Sequence, residues 1–205
     1  MILARALAQL CSDIYDESKK AQWLHYWEKD DVVVGHIALE CGTDVIVFRG
    51  SEQSIDWVRN LELWPTWYDG LGYLHAGFSQ GIEEVVADTA SCLGGKVVVT
   101  GHSLGGARAR IFAAMRHIRG LAIDQVTVFG SPKPGFGKLS EVIQTSGMVH
   151  TSYRHGSDPV PELPGILPFW QHPEPWSDLL SHDNSDEGLI EIGDHFMAGY
   201  IAALG

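Results

Sequence analysis

The sequence predicts an α/β fold: a mostly parallel central sheet with helices on both faces and an antiparallel hairpin near the N-terminus. Two apolar β runs without polar alternation, Lys96–Thr100 and the core of "DQVTVFGSP", are each followed by a helical pattern. Strands buried on both faces and joined through helices are what a parallel sheet requires. Two short β runs, Val32–Leu39 and Val45–Phe48, are joined by the turn-like Cys41-Gly42-Thr43 and form the hairpin.

The remaining elements follow in order. Leu3, Leu7, Leu10 and Ile14 fall at helical spacing, so the N-terminus reads as an amphipathic helix that stays on the protein. Gln9 and Asp13 interrupt the apolar run that a signal peptide would keep continuous. Residues 79 to 93 form a helix with Ile82, Val85, Val86, Thr89 and Leu93 on one face. A helix from Leu104 to about Ile118 follows the first buried strand. After the second come helix-like "GFGKLSEVIQTSG", the β run "MVHTSYRH", a Pro-rich aromatic segment and a last helical pattern in "DHFMAGYIAAL".

Composition narrows the function. The chain has 205 residues, 45% of them hydrophobic, without a linker or repeat, and is expected to form one domain over residues 1–205. A net charge of -12 and the lack of any Lys/Arg run exclude a nucleic-acid partner and a basic lipid-docking patch. Contact with lipid would have to be made by apolar and aromatic side chains, and the chain carries 7 Trp. No apolar run approaches the roughly 18 to 20 residues of a membrane span. Cys11, Cys41 and Cys92 are odd in number and widely spaced, which supports neither a disulfide framework nor a four-ligand zinc site. His172, His182 and Asp183 match no standard metal spacing, so no metal is expected. With no leader recognised, the cysteine usage favours a cytoplasmic protein.

The chemistry is concentrated in "VVVTGHSLGGARARIFAAM", residues 97–115. Glycine at 101, 105 and 106 weakens a strand end and a helix start, so geometry must require it. In Gly101-His102-Ser103-Leu104-Gly105 the glycines stand at minus two and plus two from the serine, between a buried strand and a helix. That is a nucleophile elbow: Ser103 sits at a strained bend with its hydroxyl presented to substrate, and the Leu104 N–H is an oxyanion donor.

From about Val32 onward the chain resembles the class 3 (fungal-type) lipase family of α/β-hydrolases. The likeness rests on five motifs in order: "FRGSE" with "DW" shortly after, "HAGF", "VTGHSLGGA", "VFGSPKPG" and "RHGSDPVPELP". A serine nucleophile in this fold class is followed in the chain by its carboxylate and then by its base. Asp158 follows the β run that ends near His155 and is the expected carboxylate, with Asp178, Asp183 and Asp194 as rivals. His172, His182 and His195 lie beyond it. The resemblance puts the base at His195, just before the terminal helix, with His182 as the alternative.

The resemblance also implies a second oxyanion donor at Ser51. It further implies a lid and acyl groove in the stretch between Ser51 and His75, where Trp57, Leu61, Trp64 and Trp67 would touch substrate. Leu163 falls in "PELPGILPFWQHPEPW", a second apolar cluster that would form the opposite wall. The implied activity is a serine carboxylic ester hydrolase acting on lipid-type or small esters without a cofactor. The alternatives are a short-chain or feruloyl-type esterase, a phospholipase A1, an acyltransferase and a silent binding domain. The chain departs from the family in lacking the paired cysteines of its secreted fungal members, in being shorter, and in carrying Arg108 and Arg110 on the elbow helix. Two cations on a buried helix need partners or an exposed face.

Overall fold

The computed structural model describes residues 2–51, 64–165, 169–173, 176–179 and 192–205. Its main sheet contains β1 (His25–Lys29), β2 (Val32–Leu39), β3 (Thr43–Phe48), β6 (Lys96–His102), β7 (Gln125–Phe129), β8 (Val149–His155) and β9 (Trp176–Leu179), in that spatial order. β1, β2 and β3 run antiparallel, and from β3 through β9 every pairing is parallel. The expected hairpin is β2–β3. The strand β1 goes beyond the sequence reading: its half-exposed "HYWEK" carries no apolar run, and pairing with β2 holds it. A separate hairpin joins β4 (Pro65–Tyr68) to β5 (Gly72–His75).

Alternation along the strands divides the core. Ile46 and Phe48 of β3 face one way, together with Val97 and Val99 of β6, and Val45 and Val47 face the other with Val98. The first side is covered by α3 (Ile82–Thr89), α4 (Leu104–Ile118) and α5 (Gly137–Thr145); a one-turn helix, α2 (Ala76–Ser79), precedes α3 and adds Phe78. The second side is covered by α1 (Ala4–Asp13) and α6 (Met197–Ala203), through Leu7, Ala8 and Cys11 of α1 and Met197 and Tyr200 of α6. Helices therefore lie on both faces, and the N-terminal helix packs onto the protein as its spacing predicts.

Because the central strands are parallel, the loops that leave their carboxyl ends gather at one edge. β3 ends beside Gly50 and Ser51, β6 beside Ser103, and β8 beside the loop that holds Asp158. The site is assembled from these three ends. No helix among the described residues is long and apolar enough to cross a membrane.

Candidate active site

Ser103 lies between β6 and α4 with φ 57 and ψ −131, a conformation that L-residues rarely adopt. Such backbone costs on the order of 1–3 kcal/mol and persists only where its surroundings fix it. Here the Ser103 N–H donates to the Phe129 carbonyl at 2.9 Å, and the Ser103 carbonyl accepts from Gly106 at 2.9 Å. The neighbouring glycines are there because the bend leaves no room. A Cβ on Gly101 would strike the Gly105 carbonyl, one on Gly105 would strike the Phe48 carbonyl, and one on Gly106 would come within 2.7 Å of Ser131 Cβ.

The three residues expected from the chain order meet at this bend. Ser103 Oγ is 2.9 Å from His195 Nε2, and His195 Nδ1 is 2.8 Å from Asp158 Oδ2. His195 ends a short 3-10 turn, Ile192–His195, immediately before α6. Asp158 is fully buried. Burial pushes its carboxyl upward, but hydrogen bonds from His195, the Tyr200 hydroxyl at 2.6 Å and the Val160 N–H at 2.9 Å outweigh that and hold it below the ordinary carboxylate value. It is thus an anion held by three donors, which fixes the imidazole in the tautomer that leaves Nε2 facing the serine.

A second layer supports the first. His102 is buried, and desolvation drives its imidazole down to about 3, so it is neutral. Its Nε2–H donates to the His195 carbonyl at 2.7 Å, and its Nδ1 accepts from the Tyr15 hydroxyl at 3.2 Å. Tyr15 in turn accepts from the Gly50 N–H at 3.0 Å. One chain of hydrogen bonds therefore runs from the loop after β3 to the backbone of His195. A Cβ built on Gly50 would lie 3.2 Å from Ser103 Cβ, so the loop carrying Ser51 is packed directly against the elbow. The Leu104 N–H opens α4 and is one of the four amides that a helix leaves without an intrahelical carbonyl.

The rival carboxylates and bases are placed as follows. Asp194 accepts from the Ser157 N–H at 2.7 Å and stands 3.6 Å from His155 Nδ1, bracing the loop before Asp158. His172 accepts at Nδ1 from Arg110 at 3.0 Å and donates from Nε2 to the Pro161 carbonyl at 2.6 Å. His182 and Asp183 lie outside the described residues, as does the side chain of Asp178. Among the residues expected to touch substrate, Trp57 and Leu61 also lie outside them. Trp64 and Trp67 stand at the β4–β5 hairpin, 70% and 64% exposed, and Leu163 is half-buried after the Val160–Glu162 turn.

Tyr15 and Tyr200 were not singled out by the sequence reading. For Tyr200 the available signal was that a tyrosine on the buried stripe of a helix must find a partner for its hydroxyl, whereas Tyr15 lies just past the end of α1 and carried no such signal. Arg108 and Arg110 prove to be buried rather than exposed. Arg110 donates to Ser131, Ser152, His150 and His172, whereas Arg108 reaches the Asp31 carbonyl and is lowered by burial to about 10.

The family model for class 3 lipase matches residues 45–167, more than half of the chain. The chain belongs to the class 3 lipase family. Over 147 residues it is 35% identical to the secreted mono- and diacylglycerol lipase 1 of Fusarium solani, covering 65% of this chain and 44% of that one. Over 177 residues it is 28% identical to the secreted mono- and diacylglycerol lipase A of Penicillium cyclopium, covering 77% and 55%. A solved triacylglycerol lipase, described as having a serine-protease triad as its catalytic centre, is similar with a TM-score of 0.74 at 25% identity, over 89% of this chain and 80% of that one. This class 3 lipase family member spans about half the length of the curated relatives it matches.

These relatives overturn one expectation. The cysteine usage and the polar breaks at the N-terminus favour a cytoplasmic setting, but the Fusarium and Penicillium relatives are named as secreted, and that expectation does not stand. Free cysteines do not report the compartment when a fold needs no disulfide: Cys11 is buried against Thr100 Oγ1 at 3.3 Å as a core residue.

Proposed function

We propose that this chain is a serine carboxylic ester hydrolase acting on lipid esters through an acyl-enzyme. The observation that carries the reading is the unbroken hydrogen-bond line from Ser103 Oγ through His195 to Asp158, at 2.9 and 2.8 Å. Ser103 Oγ attacks the acyl carbonyl while His195 Nε2 takes its proton. Asp158 holds the imidazolium that forms, and the N–H groups of Leu104 and Ser51 stabilise the oxyanion. His195 then passes the proton to the leaving alcohol, and water activated by the same imidazole releases the acid.

The lipid nature of the substrate is supported by the relatives, named as acylglycerol lipases, and by an apolar surface on this chain. Trp67 meets Tyr73 edge-on at 5.1 Å, Tyr73 meets Phe136 at 5.4 Å and Phe136 meets Phe169 at 5.8 Å, and of these Trp67, Tyr73 and Phe169 are exposed, as is Trp64 nearby. A contiguous exposed aromatic band on an acidic protein suits transient contact with a lipid interface, made by rings rather than by cations. Trp57, Leu61, Trp64 and Trp67 on one side and Leu163 on the other are the proposed walls of the acyl groove.

Initial rates on p-nitrophenyl esters from C2 to C16 test this, with wild type and Ser103→Ala in parallel. We expect a maximum at C8 or longer and a loss on the order of 10⁵-fold or more in the variant. Trp64→Ser/Trp67→Ser should lower the rate on an emulsified glyceride several-fold and leave hydrolysis of a soluble short ester unchanged. Retention of more than a few per cent of the rate without Ser103, or no activity at any length, would refute the hydrolase reading. A maximum at C2 to C4 would replace the lipid substrate by a small ester.

A further inference from the structure

We propose that His25, His36 and Cys92 form a binding site for a zinc-type divalent ion on the β1–β2 edge of the sheet, away from Ser103. His25 and His36 are direct cross-strand partners in the β1–β2 register, and their rings stack within 4° of parallel with the two Nδ1 atoms 3.0 Å apart. Cys92 follows α3, and its Sγ completes a set of three donors that all lie within 4.8 Å of one another. Imidazole nitrogen and thiolate sulfur are the donors that zinc prefers. Two nitrogens at about 2.0–2.1 Å from one tetrahedral ion stand roughly 3.4 Å apart, close to the separation seen here. The thiol must move inward by about an ångström to reach a Zn–S distance near 2.3 Å. It is half-exposed and, among the described residues, is held by weak bonds to the Asp88 and Thr89 carbonyls at 3.8 and 3.6 Å.

A second observation points at the same place. His36 is buried, and its far nitrogen, Nε2, donates to Asp44 Oδ1 at 2.9 Å, while Asp44 Oδ2 accepts from the N–H groups of Gly94 and Gly95 at 3.1 and 3.3 Å. With its proton committed to Asp44, the imidazole turns an unprotonated Nδ1 toward His25 and Cys92. A carboxylate behind a histidine is the arrangement that fixes tautomer and ring direction in metal sites. His25 is exposed, so an ion has a way in and water can complete a fourth position. Without the ion, His25 donates from Nδ1 to His36 Nδ1 at 3.0 Å; on binding, the His25 proton moves to its exposed Nε2, the Cys92 S–H bond breaks, an S–Zn bond forms and one H⁺ leaves to solvent.

Its role follows from its position. His36 is level with Val99 of β6 through Ile46, four residues short of Ser103 along the strand and two strands over, which sets the two sites roughly 15–20 Å apart. The ion would clamp β1 and β2 to the turn before β6, which makes it a stabilising site and not part of the ester chemistry.

The test uses the whole chain, stripped with chelator and titrated with Zn²⁺ by calorimetry, with thermal unfolding and ester hydrolysis measured on the same samples. We expect one equivalent bound, a midpoint raised by about 5 °C or more at saturating ion, and an unchanged kcat. His25→Ala and Cys92→Ser, both at accessible positions, should each weaken binding tenfold or more while keeping the circular dichroism spectrum and the hydrolysis rate. Co²⁺-loaded protein should give a thiolate charge-transfer band that Cys92→Ser abolishes. Absence of binding, binding that survives both substitutions, or a cobalt spectrum without the thiolate band would overturn the proposal.

Discussion

Asp158 and Arg110 are both buried to 0% exposure, and the molecule treats these two charges differently. Asp158 lies on a loop at the sheet's carboxyl edge and is held by Tyr200 of α6, the Val160 N–H and His195. Arg110 rises from the middle of α4 into hydroxyls and imidazoles supplied by Ser131, Ser152, His150 and His172. The carboxylate's donors converge so that one of them, His195, has its free nitrogen directed at Ser103. The guanidinium's acceptors instead draw β8, the loop after β7 and residue 172 onto α4. A buried charge can thus serve to aim a neighbouring imidazole or to fasten elements together, and its partners reveal which.

Substituting each charge separates the two roles. Asp158→Asn keeps the size but no longer enforces the imidazole tautomer, and kcat should fall about 10⁴-fold with the fold intact. Steady-state kinetics on a soluble ester together with thermal unfolding check this. A loss of only a few-fold would transfer the orienting role to another carboxylate, and Asp178 and Asp194 are the ones to substitute next.

Arg110→Leu should do the reverse. It leaves two serine hydroxyls and two histidines without their donor in the interior, at a stability cost of about 3–5 kcal/mol, while kcat of the folded fraction stays within roughly tenfold. Urea unfolding with activity measured below the transition tests this. The His172 side chain links Arg110 to the Pro161 carbonyl in the loop that carries Asp158. A fall in kcat as deep as that of Asp158→Asn, without a fall in stability, would therefore put Arg110 in the catalytic apparatus and dissolve the contrast.

The same contrast explains what could be read from the amino acids. The elbow was readable because its signal is local: Gly101, Gly105 and Gly106 stand within three residues of Ser103, although two of the groups a Cβ would strike, the Phe48 carbonyl and Ser131, come from elsewhere in the chain. Strands β6 and β7 were readable because valine-rich runs without polar alternation are what burial on both faces demands, whereas β9, "WSDL", carries no such run and was not read as a strand. Strand β1 was not, since "HYWEK" is polar on its own and becomes a strand only by pairing with β2. The environment of Arg110 was equally hidden. Its position on α4 marked it as an exception, but Ser152 and His172 lie 42 and 62 residues away and carry no signal that they converge. Tyr15 and Tyr200 meet His102 and Asp158 across similar separations, 87 and 42 residues.

A smaller effect tests whether these buried networks are protonated as their hydrogen bonds require. His150 Nε2 accepts from Arg110 Nε at 3.2 Å, His172 Nδ1 accepts from the same guanidinium, and His102 Nδ1 accepts from Tyr15. Each imidazole must be neutral to accept. Burial, reinforced at His150 and His172 by the adjacent Arg110 charge and at His102 by His195, lowers them to about 3, about 2 and about 3 for His150, His172 and His102. In the unfolded chain they take up protons near the ordinary value of 6.5. The unfolded state therefore binds more protons below that value, so the stability they contribute is complete above pH 6.5 and is lost as pH falls toward 3. Asp158, held below 3.8, adds its own loss only at the acid end of that range. Each histidine contributes a slope of up to about 1.4 kcal/mol per pH unit. Urea unfolding at half-unit steps from pH 7.5 to 5 should give a steep decline, and His150→Gln should remove about one histidine's share of it. An unchanged slope in that variant would mean that His150 is already protonated in the native fold. Two cations would then face each other beside α4, and Arg110 could not be donating to an imidazole there.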